Sequence, residues 1–447
     1  MEALLSSGGP QTDVLVGPLK YGLDPQGSYI QQRRQATTFS NVNSAEAGGG
    51  VRTISINIGS SSEWIDPSTI LLSFLITNRS TTLDLFPATP NPASLFSRVQ
   101  LRMGSTLIED IEQYGKLCNI MTKLSMSPGK MMDMNQLGFG TENVATNPNP
   151  FLAGQHEARK ILKKAGTNQN FKRVYMKFDL SGLFNCGKFL PLFALGGLGL
   201  QIQLTLAPAA EAMIVSHTVN SVTTNFSQDY VLTDIRLMSD MISLSGQLQE
   251  EYNAAMLQGS SLKIPIKSWE CIVNYLPSDS AGSFDLALSK NYTRLATLFA
   301  VFNQNPPNDN GTKAKIVNTN YFPGGAAIED LQYALHLGSE RLPDNDVRGT
   351  KEAWYRLLGA LGLRDSLAHS TSVDEDSYNS DHFCIGVDCE KMAMVMSSGK
   401  NLSTGQTIFL KVKGMGTDST NVPRRATICA HFEKIVSIQD TVVDVFE

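Results

Sequence analysis

Five residues near the C-terminal end come closest to a reactive constellation. His382, Cys384, Cys389, Cys429 and His431 offer a Cys-x4-Cys piece and a Cys-x-His piece, and thiolate sulfur with imidazole nitrogen is the donor set that holds tetrahedral zinc. Neighbouring strands would have to bring the two pieces together. Buried thiols need no metal, however, because a free cysteine packs as a small hydrophobe. Strand alternation also puts Cys429 and His431 on one face without recruiting Cys384, so no metal ligand is assigned.

The other candidates have plainer readings. Gly196, Gly197 and Gly199 lack the Lys-Ser/Thr that follows a phosphate loop and precede a strand rather than a helix, so a bend at a sheet corner is expected. Asp374-Glu375-Asp376 reads as a solvated loop rather than a working carboxylate pair. The His-x-His pair of a cupin-type metalloenzyme is absent among six histidines, and no Ser/His/Asp or Cys/His set is suggested by position. We therefore assign no catalytic, cofactor-binding or metal residue, expect no cofactor, and do not read the chain as an enzyme.

The elements that would position such residues are strands. From Arg98 to Met103, apolar Val99, Leu101 and Met103 alternate with Arg98, Gln100 and Arg102, the two-residue period of a half-buried strand. Gly104-Ser105 signals a turn, Thr106–Ile111 a second strand, and Tyr114, Leu117, Cys118, Met121 and Leu124 the apolar stripe of a helix. Asp110 is expected to cap that helix, with Gln113 as reciprocal partner. Before this unit, Val51–Ile58 and Ile70–Thr77 read as strands; after it come Phe171–Leu180 and Lys188–Leu206. Met126–Asn170 is a long excursion with a helical patch at Gln155–Lys164. The pattern then restarts: a strand over Tyr230–Leu244, a helix over Gln247–Leu257, strands over Leu262–Tyr275 and Ser283–Phe302, and a loop over Asn305–Gly325. Leu331–Leu337 leads to a helix over Lys351–Leu363, and Phe383–Asp388, Thr407–Lys413 and Ala426–Val445 close the chain as strands. Short strands at this spacing predict a mainly β protein of two tandem sandwiches. The expected division is an extended arm over 1–50, a first domain over 51–225 and a second over 226–447.

Composition bounds the function. At 447 residues and 42% hydrophobic content the chain can build two or three cores. With 37 basic and 42 acidic residues its net charge is −5, which argues against the basic surface that sequence-independent nucleic-acid binding needs. Six scattered cysteines predict reduced thiols and synthesis in the cell interior. The N-terminal residues carry no signal-peptide pattern, and the longest apolar run, Phe189–Leu200, is too short for a membrane span. The Asn-x-Ser/Thr sites at Asn78 and Asn291 are then chance matches.

Four segments, in order, resemble the double jelly-roll major capsid proteins of icosahedral double-stranded DNA viruses. The likeness is nearest to the virophage and polinton-like versions and more distant to those of nucleocytoplasmic large DNA viruses. The segments are LFSRVQLRMGSTLIEDIEQYGKL, KFLPLFALGGLGLQIQLTL, LQYALHLGSERLPDNDVRGTKEAWYRL and HFCIGVDCEKMAMVMSSGKNLSTGQTIFLKVKG. The resemblance implies two eight-stranded jelly rolls with short inserted helices. It implies a homotrimer whose six barrels give a hexagonal footprint able to tile an icosahedral facet, with obligate interfaces of more than about 2,000 Å². Expected partners are other copies of the chain, neighbouring capsomers, and penton and minor or cement capsid proteins, without specific nucleic-acid recognition; the expected location is the virion. The long loops, including Arg364–Asp381, become candidates for the outer surface or for trimer clasps, and the arm for reaching beneath a neighbouring capsomer. Arg33-Arg34 and Arg424-Arg425 would face the packaged genome or serve as ordinary surface charge. The competing readings are a secreted or surface tandem jelly-roll glycan-binding protein and a minor vertex capsid protein.

Overall fold

The computed structural model describes residues 30–46, 50–89, 91–125, 136–139, 162–167, 169–219, 222–277, 282–290, 292–303, 327–364, 371, 373–379, 382–391, 399–402, 407–415, 423, 425–439 and 442–447. Most of the 1–50 arm, the 126–170 excursion with its helical patch, and the 305–325 loop lie outside them. The first half contains β1 (Ile30–Phe39), β2 (Ser44–Glu46), β3 (Thr53–Ile58), β4 (Trp64–Asn78), β5 (Phe96–Met103), β6 (Thr106–Glu112), helix α1 (Tyr114–Ser125) and β7 (Phe171–Lys177). It continues with β8 (Leu190–Pro191), β9 (Leu200–Leu206), the ribbon β10 (Ser216–Val219) and β11 (Val222–Asn225), and β12 (Tyr230–Leu244). Helix α2 (Gly246–Leu257) leads to β13 (Leu262–Tyr275), β14 (Phe284–Leu288), β15 (Leu295–Asn303), β16 (Gln332–Leu337) and β17 (Glu340–Arg348). Helix α3 (Gly349–Ala360), β18 (Ile385–Asp388), β19 (Ile408–Lys413), β20 (Arg425–Gln439) and β21 (Val442–Phe446) complete the chain.

Sheet order makes each half a jelly roll. The first has sheets β1-β12-β4-β7 and β3-β9-β5-β6; the second has β13-β20-β15-β18 and β14-β19-β16-β17. Counting the eight strands of each roll in chain order, both read first-eighth-third-sixth in one sheet and second-seventh-fourth-fifth in the other. This is the double Greek key of the jelly roll. Inward positions alternate along strands such as β9, and one apolar cluster runs through both rolls. No helix among the described residues is long and apolar enough to cross a membrane.

Because neighbouring strands are antiparallel, the connections of a roll fall at two ends. One end carries the long connections, 113–170 and 349–384 among them. At the other end the fourth and fifth strands are joined by two residues, Gly104-Ser105 in the first roll and Gly338-Ser339 in the second. Both glycines have positive φ, 59° and 62°, the conformation a tight hairpin demands and other residues resist.

Several expectations change. Residues 30–46 of the expected arm are strands: β1 pairs along its length with β12, and β2 pairs with β12 as well. The strand over Tyr230–Leu244, expected in the second domain, is the eighth strand of the first roll, hydrogen-bonded to β1 and β4. The strand expected from Ile70 begins at Trp64 and runs through Pro67, because a register shift against β12 accommodates a residue with no N–H to donate. Ser283–Phe302 and Ala426–Val445 are each two strands, and the polar stretch 340–348, between the expected strand and helix, is β17. Asp110 does not cap α1; it lies in β6 and binds Arg98 at 2.7 Å. Burial alone would raise its carboxyl, but Arg98 and Gln100 hold it below the usual range.

Candidate functional site

Of the candidate cysteines and histidines, Cys429 and His431 lie in β20 and the others flank β18, and they do not converge. Cys271 and Cys429 are opposite one another across β13 and β20, with sulfurs 2.8 Å apart, so Cys429 is partnered by Cys271 rather than by Cys384. Cys384 directs its thiol to the carbonyl of Ile385 at 3.5 Å. The backbone N–H of Cys389 donates to Ala296 at 2.8 Å. His431 stacks on Trp269 with ring centres 4.2 Å apart, and burial pushes its imidazole down to about 3. Among the described residues, no three His, Cys, Asp or Glu side chains are placed to share a metal ion.

The remaining candidates are equally structural in their surroundings. Gly196 and Gly199 sit at positive φ in the bend before β9. The Asp374 carboxylate accepts from the Ser377 N–H at 2.9 Å and caps a single helical turn, Glu375–Tyr378. Arg33 pairs with Asp240 at 2.8 Å and Asp66 at 3.3 Å, and Arg34 holds Glu63 at 2.8 Å. Both arginines therefore serve the first sheet's own edge. Arg425 covers the Tyr275 ring at 5.9 Å; Arg424 lies outside the described residues. Asn78 is wholly buried and donates to the carbonyls of Leu83, Leu162 and Lys163.

What the geometry builds instead is a junction between the two rolls. A register shift between β5 and β6 leaves Ile108 and Glu109 both buried, where simple alternation would expose one. Glu109 accepts hydrogen bonds from Ser181 Oγ at 2.6 Å, Gly182 N at 3.0 Å and Leu183 N at 3.1 Å. The turn it holds lies against β13: a Cβ at Gly182 would stand 2.0 Å from the Lys267 carbonyl oxygen. Beside it, Thr106 Oγ1 donates to the Val443 carbonyl at 2.7 Å, and Lys434 Nζ to the Ile108 carbonyl at 3.3 Å. Lys434 also pairs with Glu447 at 2.6 Å. The sequence reading missed Glu109, since a carboxylate in IEDIE reads as solvent-facing; an acidic residue just after a glycine hairpin with no basic partner was the available signal.

The two helices that follow the fifth strands differ in what they cover. Nine of the twelve residues of α1 are buried, among them Lys116. Burial, with the neighbouring Arg425 of β20, pushes its amine down to about 8. α3 buries only Gly349, Thr350, Ala353 and Leu357. It rests on its own roll, with Trp354 edge-on to Tyr378 at 4.8 Å, and leaves Tyr355 52% exposed. A groove of about 320 Å³ opens between α3 and the 375–378 turn.

Comparison with known proteins follows the same architecture. Residues 29–244 match the family model described as the major capsid protein N-terminus, and they end where β12 ends. The whole chain is similar in structure to VP54 of PBCV-1, as fitted into a reconstruction of the virophage Sputnik: 14% identity, TM-score 0.61, covering 94% of this chain and 98% of that one. It is similar to a chain of the Sputnik virophage particle, at 10% identity and TM-score 0.59, covering 99% and 94%. It is also similar to the Faustovirus major capsid protein, at 9% identity and TM-score 0.63, covering 96% and 93%. At these identities the structural likeness speaks to the fold. No curated protein sequence matches the chain. The first roll thus matches the major capsid protein family over residues 29–244, and the whole length is folded as a double jelly roll.

Proposed function

We propose that the chain builds an icosahedral shell as a homotrimer whose six barrels give each capsomer a hexagonal outline. The observation that carries this is the repetition of one eight-stranded roll, in the same strand order, joined by a junction in which α1 is buried. The second roll carries the corresponding helix, α3, with one face uncovered. Closing a ring of three chains would put a neighbour's first roll against the second roll of each. The first roll spans 30–244 and the second 262–447, with α2 between them and an arm preceding Ile30. Neighbouring capsomers, penton proteins and minor or cement proteins are its partners in the virion. The role is architectural, and no side chain is given a catalytic task.

Purified protein imaged by negative stain, with its mass measured in solution, tests the reading. The expected particle has three times the 48.7 kDa chain mass and a hexagonal outline. A stable monomer that binds oligosaccharide would overturn it in favour of the glycan-binding alternative.

A further inference from the structure

At the end of the first roll that carries the Gly104-Ser105 hairpin, an apolar groove of about 480 Å³ is left open, within the range of built ligand pockets. Its walls come from strand ends and from α2: Ile30, Trp64, Phe189, Leu248, Tyr252 and Leu262 are the apolar members that matter. Trp64 is anchored by its indole N–H, which donates to Gln249 at 2.8 Å, and packs on Tyr252 at 5.1 Å. The helix contributes an unusual face. Of its twelve residues only Met256 is buried, yet Leu248 and Tyr252, one turn apart, both turn toward the groove. Two cations, Lys188 and Lys263, stand on its lining, and neither makes an ion pair with any described residue.

We propose that this groove is the seat of the chain's own segment 13–24, DVLVGPLKYGLD. Two independent features point to that occupant. The segment carries Val14, Leu15, Val16, Leu19, Tyr21 and Leu23 between two carboxylates, Asp13 and Asp24, which complements an apolar floor flanked by two lysines. Ile30, a wall residue, is where the chain enters the first roll, so the segment is tethered at the groove itself. Asp24 is six residues from Ile30, a span of at most about 20 Å, and a tether that short holds its ligand at millimolar effective concentration. A free partner would have to compete with that. The inference stands on the first roll, α2 and the start of β13, so it does not depend on the capsid reading.

The test uses the full chain. Lys20 is the only Lys or Arg among residues 1–29, so tryptic release of the leading residues reports whether the segment is seated. Leu248→Glu and, separately, Tyr252→Glu place a charge on the half-buried groove-facing side of α2 and should speed cleavage after Lys20 on the order of tenfold, the equivalent of losing one buried leucine-sized contact. Melting temperature checks that both variants stay folded. In parallel, deleting residues 2–28 should raise deuterium uptake in α2 by a similar factor. An amine cross-linker applied to a mixture of isotopically light and heavy protein should join Lys20 to Lys188 or Lys263 only within one copy. Equal cleavage rates in wild type and variants, or unchanged uptake after the deletion, would overturn the proposal. So would mixed light-heavy cross-links, which would hand the groove to a neighbour's segment, or protection that appears only when lipid vesicles or a second protein is added.

Discussion

The two rolls are built alike and used differently. Each has a Gly-Ser hairpin between its fourth and fifth strands and a twelve-residue helix soon after the fifth. In the first roll that helix disappears into the molecule, beside β13 and β20 of the second roll. In the second roll it lies on its own surface with an exposed tyrosine. The same local device thus serves once as an internal joint and once as a face still looking for its counterpart. A repeated unit whose second copy lacks the cover given to the first is the situation a closed oligomer would resolve, the proposed cover being another copy of the chain.

Breaking the joint should have the largest effect. Glu109→Ala strands three donors, two of them buried, at the turn against β13, and we expect a loss of about 4 kcal/mol, read as a drop in the denaturation midpoint. A change below about 1 kcal/mol would mean the turn finds other acceptors. Leu117→Ala, in the fully buried stripe of α1, should cost about 3 kcal/mol by the same measurement. Its outward-facing counterpart on α3, Tyr355→Ala, should move monomer stability by less than about 0.5 kcal/mol and yet shift sedimentation from trimer toward monomer. If Tyr355→Ala leaves the trimer intact at micromolar concentration, the two helices are not equivalent partners in assembly.

Acid sharpens the contrast further. His431 is held neutral by burial, its imidazole pushed down to about 3, whereas in the unfolded chain it takes a proton near 6.5. The unfolded state therefore binds the proton first, and stability is fully present above about pH 6.5 and declines as pH falls toward 3, by on the order of 2–4 kcal/mol. His431→Gln should flatten that decline in urea titrations across the window. His336, stacked on Phe409 at 5.0 Å and half-buried, is only shifted downward, and His336→Gln should change the pH profile far less. At the small end, Arg356→Ala removes an i,i+4 ion pair with Glu352 and should cost no more than about 0.5 kcal/mol. A larger loss in the trimer than in the monomer would place α3 at the interface by a second route.

Much of the β-structure was legible because its signal is local. β9, β12, β13 and the helices could be read from periods of two and 3.6 residues, and the Gly104-Ser105 hairpin from its turn residues. β1 escaped because IQQRRQATTF has no alternation: as an edge strand it is exposed for nearly its whole length, and only its pairing with β12 defines it. β12 was recognised as a strand but assigned to the wrong side of the boundary, since its partners lie some 200 residues earlier. Glu109 was invisible because a single bulge reverses which face a residue occupies. The zinc-like spacing near the C-terminus pointed to residues that do not converge: Cys429 meets Cys271 and His431 stacks on Trp269, a packing outcome that spacing alone cannot distinguish from coordination.

The sequence by itself determined that this is a β protein built twice over, with hairpins and helices in corresponding places, because periodicity and turn chemistry act within a few residues. Which strand closes which roll, which carboxylate locks the rolls together and which of two similar helices is left uncovered were decided only by the tertiary structure. Those properties depend on pairings across hundreds of residues and on one-residue shifts in register, and neither leaves a trace in local pattern.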